Sequence, residues 1–158
     1  MEYSIEKKAE MTFVGYITKV DASNGEGYSQ IPKLWGKVME ENLFEDLKNY
    51  MDDLGPVGIS YDYDMNTGNF KYMIGIRSNS KELKNFERLV LKEQEYGIFK
   101  SVGPMPKAIQ ETIEKFHNEW LPSSGYRHTG EAEIEIYSDG NPSSEDYISY
   151  LWATIIKN

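Results

Sequence analysis

The sequence predicts an α+β fold built from two tandem strand-helix-strand-strand repeats with pseudo-twofold symmetry. Two spacings support this prediction. The predicted helix starts Ile31-Pro-Lys33 and Met105-Pro-Lys107 are separated by 74 positions, and the strand-like runs that begin at Ile59 and Ile134 are separated by 75. Because similar segments at a nearly constant offset indicate an internal repeat, we assign pseudo-repeats to residues 1–80 and 84–158.

Hydrophobic periodicity and turn residues define the secondary-structure elements of the first repeat. Met11 to Val20 is rich in β-branched and aromatic residues and predicts a strand, and Asn24 to Gly27 predicts a turn. A helix should follow, because apolar residues recur at helical spacing and Pro32 falls in the first turn, where its missing N–H costs nothing. The apolar stripe consists of Ile31, Leu34, Trp35, Val38 and Met39.

The rest of the first repeat contains a short helix and a hairpin. Leu43 to Tyr50 continues the helical pattern, and Val57 to Tyr63 and Phe70 to Ser78 are strand-like. The segment between these two runs, Asn66-Thr-Gly-Asn69, has the composition of a hairpin turn. Ser78 to Leu83 is the expected joint between the repeats.

The second repeat shows the same order of elements. We predict a strand from about Phe86 to Ser101, a helix from about Met105 to Trp120, and strands from Ala132 to Tyr137 and from Tyr147 to Ile156. Neither helix can bury its apolar stripe without a sheet to lie on. We therefore expect an antiparallel sheet with the helices on one side.

Composition narrows the classes of function. The chain has 158 residues, a formal net charge of −9 and no cysteine. A negative charge repels a phosphate backbone and attracts cations, so we expect no direct nucleic-acid binding. The lack of cysteine excludes disulfides and thiolate metal sites and is typical of a reducing compartment. No apolar run is long enough to span a bilayer and no signal-peptide pattern occurs, so we expect a cytoplasmic protein that binds no membrane.

Three segments carry a resemblance to a known family. The segment Glu119-Trp-Leu-Pro-Ser-Ser-Gly-Tyr126, the strand Ile134-Glu-Ile-Tyr137 and the closing run from Tyr147 to Lys157 resemble the C-terminal half of GyrI-like domains. These domains also occur as effector-binding domains of AraC-type and MerR-type bacterial regulators. The resemblance implies a ligand cleft between the halves, on the side of the sheet opposite to the helices, with a carboxylate floor and aromatic walls. The chain departs from the family's last strand, where Tyr150 replaces a Glu and Thr154 replaces a Pro.

Glu135 occupies the Glu-x-Tyr position of that family and is the expected carboxylate. Alternation along the strand sends Glu133, Glu135 and Tyr137 to one face. The apolar residues of the other face, which we expect under the helices, are Ala132, Ile134 and Ile136. A plain solvent-exposed face is the alternative interpretation, and for Glu133 we prefer it.

Aromatic residues make up 13% of the chain and supply candidate walls. A buried carboxylate among rings suits a cationic aromatic ligand, because the cation offsets the desolvation of the acid and each ring face adds about 0.5–2 kcal/mol. For each ring, packing in the core or on the sheet is the alternative. We predict no cofactor and no metal, because His117 and His128 have no further ligand at suitable spacing and are expected at the surface. The predicted ligand-binding residues are Glu135, Tyr137, Tyr150, Trp152, Trp120, Tyr61 and Tyr63.

The sequence leaves two main functions open. The first is a stand-alone effector- or multidrug-binding protein for cationic aromatic small molecules. Because the first predicted strand begins about ten residues from Met1, we expect no DNA-binding segment, and a role in transcription would need a separate protein partner; a homodimer is also open. The second, implied by the resemblance, is a hydrolase of cyclopropane-containing electrophiles with Glu135 as general base. Inhibition of a protein such as DNA gyrase is implied by the family name alone.

Overall fold

The computed structural model describes residues 1–23 and 27–158. The turn predicted from Asn24 to Gly27 therefore lies mostly outside the described residues. The chain forms two compact units: the first unit is Met11–Leu91, and the second unit combines Met1–Glu10 with Lys92–Asn158. Each unit contains an antiparallel sheet with helices, so the predicted α+β class is confirmed.

The strands and helices follow each other along the chain in an order close to the predicted one. The strands are β1 (Tyr3–Lys8), β2 (Met11–Val20), β3 (Val57–Tyr61), β4 (Phe70–Arg77), β5 (Glu87–Leu91), β6 (Gln94–Val102), β7 (Tyr126–Tyr137) and β8 (Ile148–Lys157). The helices are α1 (Gln30–Glu40), α2 (Glu45–Lys48), α3 (Lys107–Lys115) and α4 (Leu121–Ser124). A π-helical turn, Phe116–Trp120, joins α3 to α4. None of the described helices is long and apolar enough to cross a membrane.

The first unit is a four-stranded sheet in the order β3-β4-β2-β5. Both of its helices lie on one face, where α1 buries Val38 and α2 buries Leu47. The sheet residues buried in these contacts are Val14, Val20, Tyr72, Ile74 and Ile76. Trp35 donates a hydrogen bond from Nε1 to the Tyr72 hydroxyl at 3.0 Å, which ties the predicted apolar stripe to the sheet.

The second unit is a four-stranded sheet in the order β1-β6-β8-β7. Here α3 and the π-helical turn lie on one face, as the sequence predicts. Ile109 of α3 and Phe116 of the turn are fully buried against β6 and β8. The sheet residues of this core are Phe99, Leu151, Ala153 and Ile155.

The single strand predicted from Phe86 to Ser101 is wrong, because this segment forms two strands that belong to different units. β5 ends at Leu91 and pairs with β2, whereas β6 begins at Gln94 and pairs with β8. Strand-forming residues continue on both sides of Lys92 and Glu93, so the local pattern does not mark the break.

The sequence-based assignment does not include β1. This strand pairs with β6, from Tyr3 opposite Phe99 to Lys8 opposite Gln94, and Ile5 packs on the core of the second unit. Its other residues are mostly charged and exposed, so period-2 alternation is weak. Residues 1–10 thus belong to the second unit.

A β-bulge interrupts β7. His128 is opposite Ile155 and Glu133 is opposite Ala153, so the chain advances five positions along β7 against two along β8. In a regular strand, residues five positions apart point to opposite faces. The bulge therefore brings His128 and Glu133 to the same face of the sheet.

The hydroxyl of Thr154 holds the bulge together. This fully buried side chain accepts hydrogen bonds from the Thr129 hydroxyl at 2.6 Å and from the Ala132 N–H at 3.1 Å. It also donates to the Ala132 carbonyl at 3.2 Å. Backbone groups that the irregular strand leaves outside the ladder are thereby satisfied.

We expect Thr154→Val to lower the free energy of unfolding by about 1–3 kcal/mol, because the shape is kept while the Ala132 N–H loses its hydroxyl partner in a buried position. Urea denaturation measures the change. Thr129→Val is the matched control: Thr129 is exposed and its loss leaves both contacts between Thr154 and Ala132, so its effect should be smaller. Wild-type stability in Thr154→Val would show that the backbone alone holds the bulge.

Candidate functional site

Two glutamates of β7 lie on the helix-bearing face of the second-unit sheet. Glu133 is opposite Ala153 and Glu135 is opposite Leu151. Directly opposed residues of an antiparallel pair share a face, and Ala153 and Leu151 belong to the core beneath α3. The expected carboxylate floor is therefore on the helix side of this sheet, not on the side opposite to the helices.

The apolar residues of β7 lie on the face away from the helices, contrary to the sequence-based expectation. Ile134 is opposite Trp152 and Ile136 is opposite Tyr150. Both isoleucines are buried there. The register thus separates Tyr150 and Trp152 from Glu135, and one pocket on one face of this sheet does not include all three.

Trp152 already has a cation within its own chain. The Nζ atom of Lys8 lies 4.7 Å from the centroid of the Trp152 ring, within the range of a cation–π contact. Lys8 and Trp152 both belong to the second unit. This ring therefore serves an internal contact on the face opposite to Glu135.

Tyr61 and Tyr63 do not share a face either. β3 ends at Tyr61, and Asp62 has a φ of 56°, a left-handed conformation that breaks the alternation of the strand. Tyr61 is opposite Lys71 in the sheet, and burial raises its pKa to about 12. The ring of Tyr63 lies 5.3 Å from that of Phe70, the residue before Lys71, which points to the other face.

Trp120 packs in an aromatic cluster on the helix side of the second unit. Its ring lies 5.0 Å from Phe99, 5.8 Å from Phe116 and 5.9 Å from Tyr126, measured between centroids. Tyr3 of β1 adds an edge contact at 5.4 Å. Core packing, the alternative interpretation, accounts for these contacts of Trp120.

Glu135 and Tyr137 come together as the sequence suggests. The Tyr137 hydroxyl donates a hydrogen bond to Oε1 of Glu135 at 2.8 Å, and both side chains are half-buried. A fixed donor orients the carboxylate on the helix face of β7. Of the predicted ligand-binding residues, this pair and Trp120 lie on the same side of the second-unit sheet.

A second acidic group lies beside it. Glu133 is only 12% exposed at its side chain, and its Oε1 atom lies 3.0 Å from Nε2 of His117. Its Oε2 atom lies 3.9 Å from Nε2 of His128, and the two imidazole rings are 5.9 Å apart. The structure therefore gathers two histidines around Glu133, whereas the sequence pattern predicts all three side chains at the surface.

Two backbone irregularities create this cluster. His117 lies in the π-helical turn, and the β-bulge brings His128 to the face of Glu133. His128 is further fixed because its Nδ1 accepts a hydrogen bond from the Gly130 N–H at 2.8 Å. Irregular turns of this kind occur often at functional sites. Strand alternation alone could have identified Glu133, but no local signal places His128 beside it.

The two histidines respond to this environment in opposite directions. The hydrogen bond to Glu133 raises the pKa of His117, and burial opposes it. Burial lowers the pKa of His128, although the charge of Glu133 opposes this shift. The arrangement therefore favours a charged His117 beside a neutral His128.

Other described features fit a ligand site less well. Among residues 1–23 and 27–158, no group of three or more His, Cys, Asp or Glu side chains is placed to hold a metal ion. The first unit has an open hollow of about 410 Å³ beside Tyr16 and Phe86, whose rings are 5.2 Å apart. Its lining contains Lys37 as well as Glu41 and Glu87, so part of its negative charge is already balanced within the hollow.

Comparison with known protein families shows to which family the chain belongs. The family profile described as the GyrI-like small molecule binding domain matches residues 1–155. The chain belongs to the GyrI-like family. The resemblance that the sequence shows in the segment from Glu119 to Tyr126 and in the strand from Ile134 to Tyr137 is thereby confirmed.

Solved structures agree with this assignment. The GyrI-like chain is similar to SAV2435 bound to tetraphenylphosphonium, with 26% identity and a TM-score of 0.86 over 99% of this chain and 94% of that one. It is also similar to a putative bacterial transcription regulation protein from Staphylococcus aureus MU50, with 26% identity and a TM-score of 0.81 over 98% of each chain. A hydrolase from Listeria innocua, at 16% identity and a TM-score of 0.52 over 98% of this chain and 92% of that one, shares the fold. No curated protein sequence matches the chain.

The lowered pKa of His128 makes the stability of this GyrI-like domain depend on pH. Because the folded-state pKa lies below the unfolded value of about 6.5, the stabilisation by the neutral ring is present above that pH and is lost as pH falls through the folded value. His128→Asn keeps an acceptor for the Gly130 N–H but does not titrate.

We therefore expect the free energy of unfolding to fall more steeply on acidification in the wild type than in His128→Asn. Urea denaturation at a series of pH values measures both slopes. His117 contributes with the opposite sign, since its raised pKa favours the folded state at low pH, and this contribution is common to both proteins. Parallel curves would show that His128 does not titrate on folding.

Proposed function

We propose that this GyrI-like domain binds cationic aromatic small molecules and that Glu135 recognises their positive charge. The observation that carries the proposal is the half-buried Glu135, held by the Tyr137 hydroxyl on the helix face of β7. SAV2435 supports the proposal, because its structure contains tetraphenylphosphonium, a cation surrounded by phenyl rings. This chain is similar to SAV2435 over 99% of its length.

Charge explains why such a site would select cations. The net charge of −9 attracts positive ligands over long distances. At contact, opposite charges about 4 Å apart interact with roughly 4 kcal/mol at an effective dielectric constant near 20. Glu133 and Glu135 point to the same face of β7 at a spacing of roughly 7 Å. Few directional bonds are needed, so selectivity would depend on charge sign and aromatic shape.

We further propose that the domain acts as a sensor or a sequestering protein, and that any effect on transcription passes through a separate protein. A similar chain is named as a putative bacterial transcription regulation protein, which supports a link to regulation. The net negative charge disfavours direct contact with nucleic acid.

We expect Glu135→Gln to weaken tetraphenylphosphonium binding by at least about tenfold, or ~1.4 kcal/mol, because the ionic attraction is lost while the shape is kept. Isothermal titration calorimetry measures the dissociation constant. Tetraphenylborate is the matched probe, since it has the same shape and the opposite charge, and it should not bind the wild type. Trp152→Phe, on the opposite face, should leave tetraphenylphosphonium affinity unchanged.

Equal affinity of the wild type and Glu135→Gln for tetraphenylphosphonium would remove Glu135 from the site. Equal binding of the two tetraphenyl ions would remove charge recognition altogether. The hydrolase alternative is tested with the same samples: turnover of a cyclopropane electrophile that Glu135→Gln abolishes would make the domain an enzyme with Glu135 as general base.

A further inference from the structure

The cluster of Glu133 with two histidines is a site that the proposed recognition by Glu135 does not use. Glu133 lies two positions before Glu135 on the same face of β7, at roughly 7 Å. If a tetraphenyl cation binds at Glu135, this spacing puts Glu133 within reach of the same ligand. The two acids differ in their partners, because Glu135 accepts from a phenol and Glu133 faces an imidazole.

We propose that Glu133 is a second anchor for the ligand's positive charge, and that protonated His117 occupies this anchor until the ligand displaces it with release of one proton. The inference rests on the proposed function, because it describes how the same site exchanges one cation for another. It adds a residue and a coupled proton to that function.

The burial of Glu133 is the first argument. A carboxylate that is only 12% exposed is unfavourable without a positive or hydrogen-bonding partner. His117 supplies one, with its Nε2 at 3.0 Å from Oε1. If a ligand cation approaches the same carboxylate, one partner replaces the other, and the charge of Glu133 stays compensated throughout.

The position of His117 is the second argument. Its side chain is 41% exposed, so the imidazole can return to water when it leaves Glu133. It lies in the π-helical turn, where the backbone departs from the regular helix on either side. Glu133, in contrast, is fixed on a central position of β7. The exchangeable partner is therefore His117, and the fixed group is the acid.

Among the neighbours of Glu133, His117 is the group whose protonation state changes. His128 faces Oε2 of Glu133 at 3.9 Å, and its Nδ1 accepts the Gly130 N–H, so a neutral ring carries its proton on Nε2. Burial lowers its pKa, which keeps it neutral where His117 is charged. On β7, Glu135 carries a charge on the same face as Glu133. The β8 residues opposite and next to the two acids on this face are apolar, namely Leu151, Ala153 and Ile155. Further along β8 the same face carries the buried Ser149, opposite Tyr137, and Lys157, opposite Tyr126.

The sign of the coupling follows from linkage. Contact with Glu133 raises the pKa of His117, and a ligand that takes over Glu133 removes that cause, so His117 releases its proton. Affinity for the cation therefore rises with pH between the two pKa values of His117, by up to about tenfold per pH unit, and is constant outside this interval.

Calorimetric titration of the wild type with tetraphenylphosphonium, from about pH 5.5 to about pH 8.5, tests the coupling. Two buffers with different ionisation enthalpies give the number of protons released, which should be positive within the interval, with one proton as its upper limit. His117→Gln should bind without proton release and more tightly than the wild type at the lowest pH. Glu133→Gln should bind more weakly and without pH dependence, whereas His128→Asn should retain proton release.

A second measurement uses the ligand-free protein. The pKa of His117, followed by NMR, should fall in Glu133→Gln, because the acid that raises it is gone. An unchanged pKa of His117 would overturn the proposal.

The outcomes separate this inference from the proposed function. Tetraphenylphosphonium binding that is independent of pH and releases no proton would overturn the proton exchange and leave the recognition by Glu135 intact. No binding at any pH would overturn the proposed function and, with it, this inference.

Discussion

The pairing of β7 with β8 is the constraint on which the candidate site depends. A change of one residue in a strand register moves every side chain to the other face. The bulge between His128 and Glu133 introduces such a change within one strand, and the buried Thr154 hydroxyl supports it. As a result, both histidines and both acids lie on the helix side, while the large rings of β8 lie on the other.

As a result, the two faces of the second-unit sheet differ in the chemistry of their side chains. The face away from the helices is apolar on β7, where Ile134 and Ile136 are buried. The helix face combines apolar core residues of β8 with the acids of β7. Burying these acids there without partners would be unfavourable. Each acid has one: the Tyr137 hydroxyl for Glu135 and the His117 imidazole for Glu133. A neutral phenol orients its acid, whereas an ionisable imidazole can be exchanged for another cation.

Two further local conformations limit what alternation along a strand can predict. Asp62, in a left-handed conformation, separates Tyr61 from Tyr63, although the sequence assigns them to one face. The break at Lys92 and Glu93 assigns β5 and β6 to different units. β1 joins the second unit through backbone pairing with β6, and it needs little apolar surface to do so. Backbone geometry and pairing partners set each of these outcomes.

By itself, the sequence determined the α+β class, helices at the positions of α1, α2 and α3, most strands and membership of the GyrI-like family. These features depend on apolar periodicity, turn residues and short motifs, which are local. It also identified Glu135 and Tyr137 as neighbours two positions apart on one strand. The tertiary structure alone decided that Trp152 is on the opposite face and that Glu133 lies between His117 and His128. Those facts depend on a β-bulge and a π-helical turn. A prediction from regular hydrophobic periodicity assumes that neither irregularity is present.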